Sequence, residues 1–291
     1  MGVGFLFHLT NKDSFSYFTA ENLLALPFII HAFCTRHGGI SDGPFSSLNF
    51  SSRTGDDHWK ILENHTILAR HFGFQPKQLF MVHQVHGDDI FILDENAPVT
   101  YPDGPPISCD ALVTAHTSIA IGIKTADCVP ILMVDTENCV IAAVHAGWKG
   151  TALALAARVV KVLGERYGTR PEHLIAAVGP AIGPCCYEVD ETVIRAMADQ
   201  KNSLTLCAGG RKGRWMLDLV SANRFQLMRA GIPEDGIAVA NICTSCRRDL
   251  FFSHRGEEGL TGRQLSFIMT VTSQSQASEE KNILTDEFHS V

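Results

Sequence analysis

The hydropathy pattern is dominated by two short apolar runs, Val129 to Asp135 and Val140 to Val144, separated by Thr136-Glu137-Asn138. Continuous runs of that length predict strands, and the polar tripeptide predicts a turn that joins them into a hairpin. Antiparallel pairing keeps the sum of facing residue numbers constant, and a turn at this point gives a sum of about 273 to 275. That register sets Cys128 opposite or nearly opposite His145 at the open end of the hairpin, with facing Cα atoms roughly 5 Å apart.

The pattern elsewhere alternates strands and helices. Strands are predicted at 78–83, 89–93, 110–114 and 119–124, then at 174–178, 237–241 and 264–270. Ile61, Leu62, His65, Leu68 and Phe72 line one face of a helix that starts after Asp57 and stops at Gly73. Leu153, Ala156, Val159, Val160 and Leu163 form the stripe of a second helix over 149–166. Asp190 and Asp218 cap two more, the last ending at Gly231. Residues 28 to 50 carry Gly38-Gly39 and Asp42-Gly43-Pro44 and read as a turn-rich loop. The polar stretch 272–291 reads as a disordered tail. With no linker or repeat, residues 1–271 are expected to form a single domain of the α+β class, in α/β layers. The hairpin requires mixed rather than all-parallel sheets.

Composition narrows the function. A net charge of −7 argues against nucleic-acid and membrane-surface partners, which need clustered positive charge. Any anionic ligand must then be held by a few local Arg or Lys side chains. No run reaches the roughly 18 apolar residues of a membrane span. The N-terminus lacks a basic secretory start, and nine cysteines without framework spacing suit reduced thiols in the cytoplasm. The oligomeric state is left open, a monomer included.

Cys128 and His145 can serve as metal ligands or as a thiol–imidazole catalytic pair. A third ligand could come from His83 or His86. His86 is favoured because it adjoins Gly87 and Asp88, where the chain turns. One Cys and two His leave the fourth tetrahedral position of a zinc ion open, which is the pattern of a catalytic site. Asp127, next to Cys128, is the adjacent acid/base candidate. The helix opening at Trp148-Lys149-Gly150 offers N–H groups beside His145. Cys185-Cys186 are adjacent and unsuited to an ordinary disulfide, and Cys243-x-x-Cys246 is a lone pair with little weight as a zinc site. Trp148, Phe45 and Phe252 are aromatic candidates to stack on a base, although such rings more often serve the core.

The strings TRHGGISDGPFSSLNF, QVHGDD, SCDALVT, IKTADCVPILMVD, AAVHAGWKGT, GPAIGPCCYEVD, DLFFSHR and TGRQLSFI occur in this order from about residue 28 to 269. They resemble the YfiH/laccase-domain family of polyphenol oxidase-like proteins, which includes purine nucleoside phosphorylases and a peptidoglycan-editing factor. The resemblance implies a CNF1/YfiH-like fold of helices packed on mixed sheets. It implies His86, Cys128 and His145 as zinc ligands, with inosine or adenosine and phosphate as substrates for phosphorolysis, and adenosine for deamination. On these motifs the catalytic positions are Cys128, His145, Asp127 and Arg255, and the substrate-binding positions Arg36, Asn49, Lys149 and Arg263.

Three other functions compete. A laccase-like polyphenol oxidase would bind copper, but a multicopper centre needs clustered His-x-His strings that this sequence lacks. A metal-free hydrolase editing peptidoglycan precursors would use Cys128 as nucleophile, His145 as base and Asp127 as orienter. A non-catalytic metal-binding protein is the least favoured.

Overall fold

The structure, a computed structural model, describes residues 5–94, 107–198 and 207–271. The expected C-terminal tail, 272–291, lies outside the described residues. The N-terminal part comprises β1 (Phe7–Lys12), β2 (Phe15–Ala20), α1 (Glu21–Leu24), β3 (Ile29–Cys34), α2 (His58–His71) and β4 (Leu79–Met81). The central part follows with β5 (Ile90–Leu93), β6 (Ala111–Thr114), β7 (Ala120–Thr125), β8 (Val129–Asp135) and β9 (Val140–Ala146). Next come α3 (Trp148–Ala152), α4 (Leu155–Tyr167), β10 (Leu174–Val178), β11 (Glu188–Val189) and α5 (Glu191–Ala198). The chain closes with β12 (Cys207–Gly209), β13 (Trp215–Leu217), α6 (Leu219–Arg229), β14 (Ile237–Val239) and β15 (Gln264–Thr270).

These strands build two large mixed sheets, ordered β1-β2-β3-β15-β7-β4 and β14-β10-β8-β9-β6-β5, and a small sheet β11-β13-β12. The sheets pack face to face. Phe33, Ile121, Ile123 and Ile268 of the first meet Leu132, Val134, Ile141 and Ala143 of the second in one buried cluster. The opposite face of the second sheet, with Ile131, Met133, Ala142 and Val144, is covered by Val159, Leu163 and Leu227 of α4 and α6. Helix α2 covers the outer face of the first sheet, with Leu68 and Ala69 against Phe267 and Met269. The layers therefore run helix, sheet, sheet, helix. The middle position of the second sheet explains the unbroken apolar runs of β8 and β9, because side chains on both faces are buried.

Two local expectations change. The helix expected over 149–166 is broken: α3 ends at Ala152, and Ala154 takes a left-handed φ of 57° before α4 begins. The break redirects the stripe Leu155, Ala156, Val159, Val160 and Leu163 onto the sheet. Inside the stretch read as loop, Ile29–Cys34 forms β3, paired with β15 from Ile29↔Thr270 to Phe33↔Ser266. Its apolar residues are cut short by the turn residues that follow, so the strand is hard to separate from its loop in sequence. Of the expected caps, Asp57 precedes α2 but makes no side-chain capping bond, whereas Asp190 and Asp218 do. The Asp190 carboxylate accepts from the N–H groups of Thr192 and Val193, and that of Asp218 from Ser221, each worth about 1 kcal/mol to its helix.

Topology places many chain ends together. The β8–β9 register has a sum of 275, with Pro130 facing His145. Cys128 lies two residues before Pro130, so it shares a face with His145 as a diagonal neighbour. Strand β6 is antiparallel to β9, with Ala111 facing Val144, which sets Asp110 beside His145. Strand β10 ends beside the start of β8, with Val178 facing Ile131, and β14 runs parallel to β10. The loops after β10 and β14 thus emerge at the edge where Cys128 and His145 lie.

Candidate metal centre and its pocket

Three ligand atoms converge at that edge: one each from His86, Cys128 and His145, all within 4.8 Å of one another. The His86 and His145 rings stand edge to face, with centroids 4.8 Å apart and planes at 78°. Zinc bonds of usual length at tetrahedral angles would separate such atoms by roughly 3.3–3.8 Å, so this donor set fits a zinc ion. It equally fits the soft-plus-imidazole preference of copper.

Asp110 holds the cluster together. It is fully buried, and its Oδ1 lies 2.8 Å from His145 Nδ1. A carboxylate there accepts the Nδ1 proton and leaves Nε2 as the free donor atom of the imidazole. The same carboxylate accepts from the consecutive N–H groups of Val85, His86 and Gly87, and the Asp110 carbonyl accepts from His145 N. Three N–H groups on one carboxylate form a nest, which fixes His86 in its left-handed conformation with φ of 60°. Gly147 is required for close approach: a Cβ there would lie 3.1 Å from both Cys128 Sγ and His86 Cδ2.

Electrostatics favour the ligating forms. Burial pushes the Cys128 thiol up, but the His145 charge and hydrogen bonds from His145 and His86 outweigh it and bring it down to about 6. Burial lowers the His145 imidazole, and the Cys128 charge with the Asp110 hydrogen bond raises it to about 9. Metal-free, the pair is a thiolate beside an imidazolium; a bound cation takes the place of the imidazolium proton.

The cluster opens into a cavity of about 490 Å³. Its wall carries Arg53, Lys124, Arg255 and Arg263, none of them ion-paired with a carboxylate among the described residues. Trp148 and Tyr187 line the same space, and the Arg255 guanidinium sits 5.2 Å over the Tyr187 ring. Desolvation brings the Lys124 ammonium down to about 8, with nearby Arg53 adding to the effect. Four cations, none of them ion-paired among the described residues, outnumber the one lining carboxylate, Asp127, and leave the wall locally positive in a chain of net charge −7.

The structure sorts the residues named from sequence. Arg255 and Arg263 line the cavity. Arg36 lies outside its lining: the guanidinium donates to Glu257 at 2.9 Å and to the Ser46 and Arg248 carbonyls, and stacks over Phe252. Asn49 lies behind the wall, where it donates to Asp56 and Thr54 and accepts from Arg263 N. Lys149 is exposed, with its ammonium over the Trp148 ring. Asp127 lines the cavity, but its carboxylate is occupied as an acceptor from the Thr244 and Ser253 hydroxyls and from Arg255 N. His83 is outside the three-ligand cluster, its Nε2 bonded to Arg53 and its Nδ1 facing the Ser108 hydroxyl. Of the aromatic candidates, Trp148 reaches the cavity, whereas Phe252 is buried beneath Arg36.

Asp110, Arg53 and Lys124 were not singled out from sequence. Asp110 could have been noticed as a carboxylate at the head of the apolar strand Ala111–Thr114. Arg53 and Lys124 carry no local signal, since only the fold brings them to one wall.

Fold and site together define a protein that presents a Cys/His cluster able to hold a metal ion, and a cation-lined pocket, at the common edge of two packed mixed sheets. The chain belongs to the family described as multi-copper polyphenol oxidoreductase laccase, whose model matches residues 30–271. It is 38% identical over 240 residues to the purine nucleoside phosphorylase YlmD of Geobacillus stearothermophilus, covering 80% of this chain and 87% of that one. It is 34% identical over 233 residues to the adenosine deaminase RL5 of an unknown prokaryotic organism, covering 78% and 88% of the two chains. The crystal structure of YlmD from G. stearothermophilus superposes with a TM-score of 0.84 at 34% identity, over 92% of this chain and 99% of that one. The mixed-sheet architecture and the family resembled by the sequence motifs are those found.

Proposed function

We propose that the chain is a zinc-dependent purine nucleoside phosphorylase that also deaminates adenosine. The observation that carries this reading is the juxtaposition of the His86–Cys128–His145 cluster with four cations that form no ion pair among the described residues around one cavity. Relatives named for both activities support it. Phosphate binds against Arg53, Lys124, Arg255 and Arg263, which neutralise its charge and aim an oxygen at the anomeric carbon. Trp148 and Tyr187 offer flat walls for a purine. His86, Cys128 and His145 would hold the zinc ion, which would supply Lewis-acid polarisation when bound. Asp110 keeps the His145 Nδ1 proton in place so that Nε2 remains a donor atom, and Asp127 positions Arg255 through its backbone N–H. No helix among the described residues is long and apolar enough to cross a membrane.

Zinc is preferred to a multicopper centre on the donor set. Among the described residues the second group able to hold a metal is all cysteine, so no histidine-rich trinuclear set accompanies the cluster. The test is elemental analysis joined to an assay with inosine or adenosine, with and without phosphate. Phosphate-dependent release of free base, lost with zinc on chelation, is the expected result. Dioxygen-dependent phenol oxidation on stoichiometric copper, without base release, would overturn it.

A second reading draws on the same geometry. A depressed thiol next to His145, which is oriented in turn by Asp110, is also the order of nucleophile, base and orienter in a cysteine hydrolase. In that case Asp110, and not Asp127, takes the orienting place. A metal-free preparation that stays fully active and is inactivated by alkylation of Cys128 would favour the hydrolase.

A further inference from the structure

A second set of sulfur atoms lies outside the pocket. Cys185, Cys186, Cys243 and Cys246 are free thiols whose Sγ atoms all lie within 4.8 Å of one another. Cys246 Sγ is 3.5 Å from that of Cys185 and 3.4 Å from that of Cys186. Those separations are far longer than a disulfide, about 2.05 Å. They approach the roughly 3.8 Å edge of a tetrahedron with zinc–sulfur bonds of about 2.3 Å. We propose that these four cysteines form a second, structural zinc site of the tetrathiolate type, which clasps the loop after β10 to the loop after β14.

The fold prepares this arrangement. Strands β10 and β14 are parallel neighbours, so their following loops leave the sheet side by side, and Ala181 bridges Cys243 in parallel fashion. Ala181 N donates to the Ile242 carbonyl and Thr244 N to the Ala181 carbonyl, which fixes the two loops in register. The backbone N–H groups of Gly183 and Cys246 both point at Cys243 Sγ, the former at 3.2 Å. Such donors stabilise a thiolate that carries a metal. Gly183 leaves the space: a Cβ there would lie 3.3 Å from Cys185 Sγ and from Cys243 Cβ. Four thiolates around an ion, with no open position, are the donor set of a closed structural site, and soft sulfur selects zinc over hard divalent cations. The isolated CxxC pair carried little weight in sequence because its partners stand about sixty positions earlier, in Cys185-Cys186.

The clasp has a consequence for the pocket. Tyr187 follows Cys186 directly, and Thr244, between the two later cysteines, donates its hydroxyl to Asp127 at 2.7 Å. Zinc at the four thiolates would hold both segments against the cavity wall. This site stands or falls independently of the pocket reading, because each accounts for its own equivalent of metal.

The experiment is elemental analysis of the full-length protein and two double variants, with zinc-edge X-ray absorption on one of them. Two zinc equivalents are expected in the unaltered chain. His86→Ala/His145→Ala should keep one, with four sulfur neighbours at about 2.3 Å. Cys243→Ser/Cys246→Ser should lose that equivalent, keep the pocket metal and melt at lower temperature. If the serine variant fails to fold, the absorption spectrum of the histidine variant still decides. Absence of metal from the histidine variant would overturn the proposal, as would iron or copper in place of zinc. So would thiol titration of the denatured, unreduced protein that finds these cysteines already joined in disulfides.

Discussion

The two clusters of potential metal ligands sit at the same edge of the second sheet and differ in construction. His86, Cys128 and His145 mix nitrogen with sulfur, face a cavity, and are backed by the buried Asp110 carboxylate. The four cysteines are all sulfur, carried by two surface loops, and the bonds found to them among the described residues come from backbone N–H groups and from one another. Three donors with an open side and a tuned imidazole suit chemistry on a substrate. Four donors closed on themselves suit cross-linking. The lesson is that ligand number and backing, rather than proximity of Cys and His alone, separate a reactive centre from a staple.

The largest effect that would sharpen this contrast is expected from ligand removal. His145→Ala or Cys128→Ala should abolish the pocket metal and reduce phosphorolysis by on the order of 10³-fold. His83→Ala should keep the metal, since its ring is bonded to Arg53 and Ser108. Metal analysis beside kcat/KM checks both; loss of zinc on replacing His83 but not His86 would break the ligand assignment.

Asp110→Asn comes next. It keeps the shape but removes the charge that fixes the His145 Nδ1 proton, and should weaken pocket zinc about 10–100-fold in competition with a chelator. The four-sulfur site should be unaffected. Equal weakening of both metals would show that Asp110 acts through global stability and not through His145.

Lys124→Met should raise KM for phosphate about tenfold while both metal equivalents remain. The unaltered enzyme should show the same effect through pH. Lys124 titrates near 8, so its cation is present below that value and lost as pH rises through it. KM for phosphate should therefore climb above about pH 8, and the Met variant should lack that inflection. An unchanged inflection in the variant would assign it to another group.

The smallest effect on activity is expected at Arg36. Its ion pair with Glu257 is largely buried and lies outside the pocket lining, so Arg36→Ala should cost on the order of 1–3 kcal/mol of stability by denaturant unfolding and leave phosphate KM alone. A large rise in KM would return Arg36 to the binding site.

Legibility followed the range of the interaction. The hairpin, the Asp190 and Asp218 caps and the strand at 174–178 depend on neighbours within a few residues, and the chain states them directly. Strand β3 and the helix break at Ala154 were obscured. The first is shaped by pairing with β15, more than two hundred residues away, and the second by the need to turn α4 back onto the sheet. At the site, Arg36 and Arg53 both flank the same glycine-rich loop, and nothing local tells them apart. One is drawn to Glu257 and the other to the cavity.

The sequence by itself determined that a thiol and an imidazole would meet at the end of a hairpin, because side-chain alternation and a two-strand register need no information from elsewhere in the chain. It also carried the family motifs. Only the tertiary structure decided which carboxylate stands behind His145, which cations face the cavity and which cysteines gather on the neighbouring loops. Those choices depend on how β6, β10 and β14 are ordered in the sheet, and strand order is set by burial of both sheet faces across the whole chain.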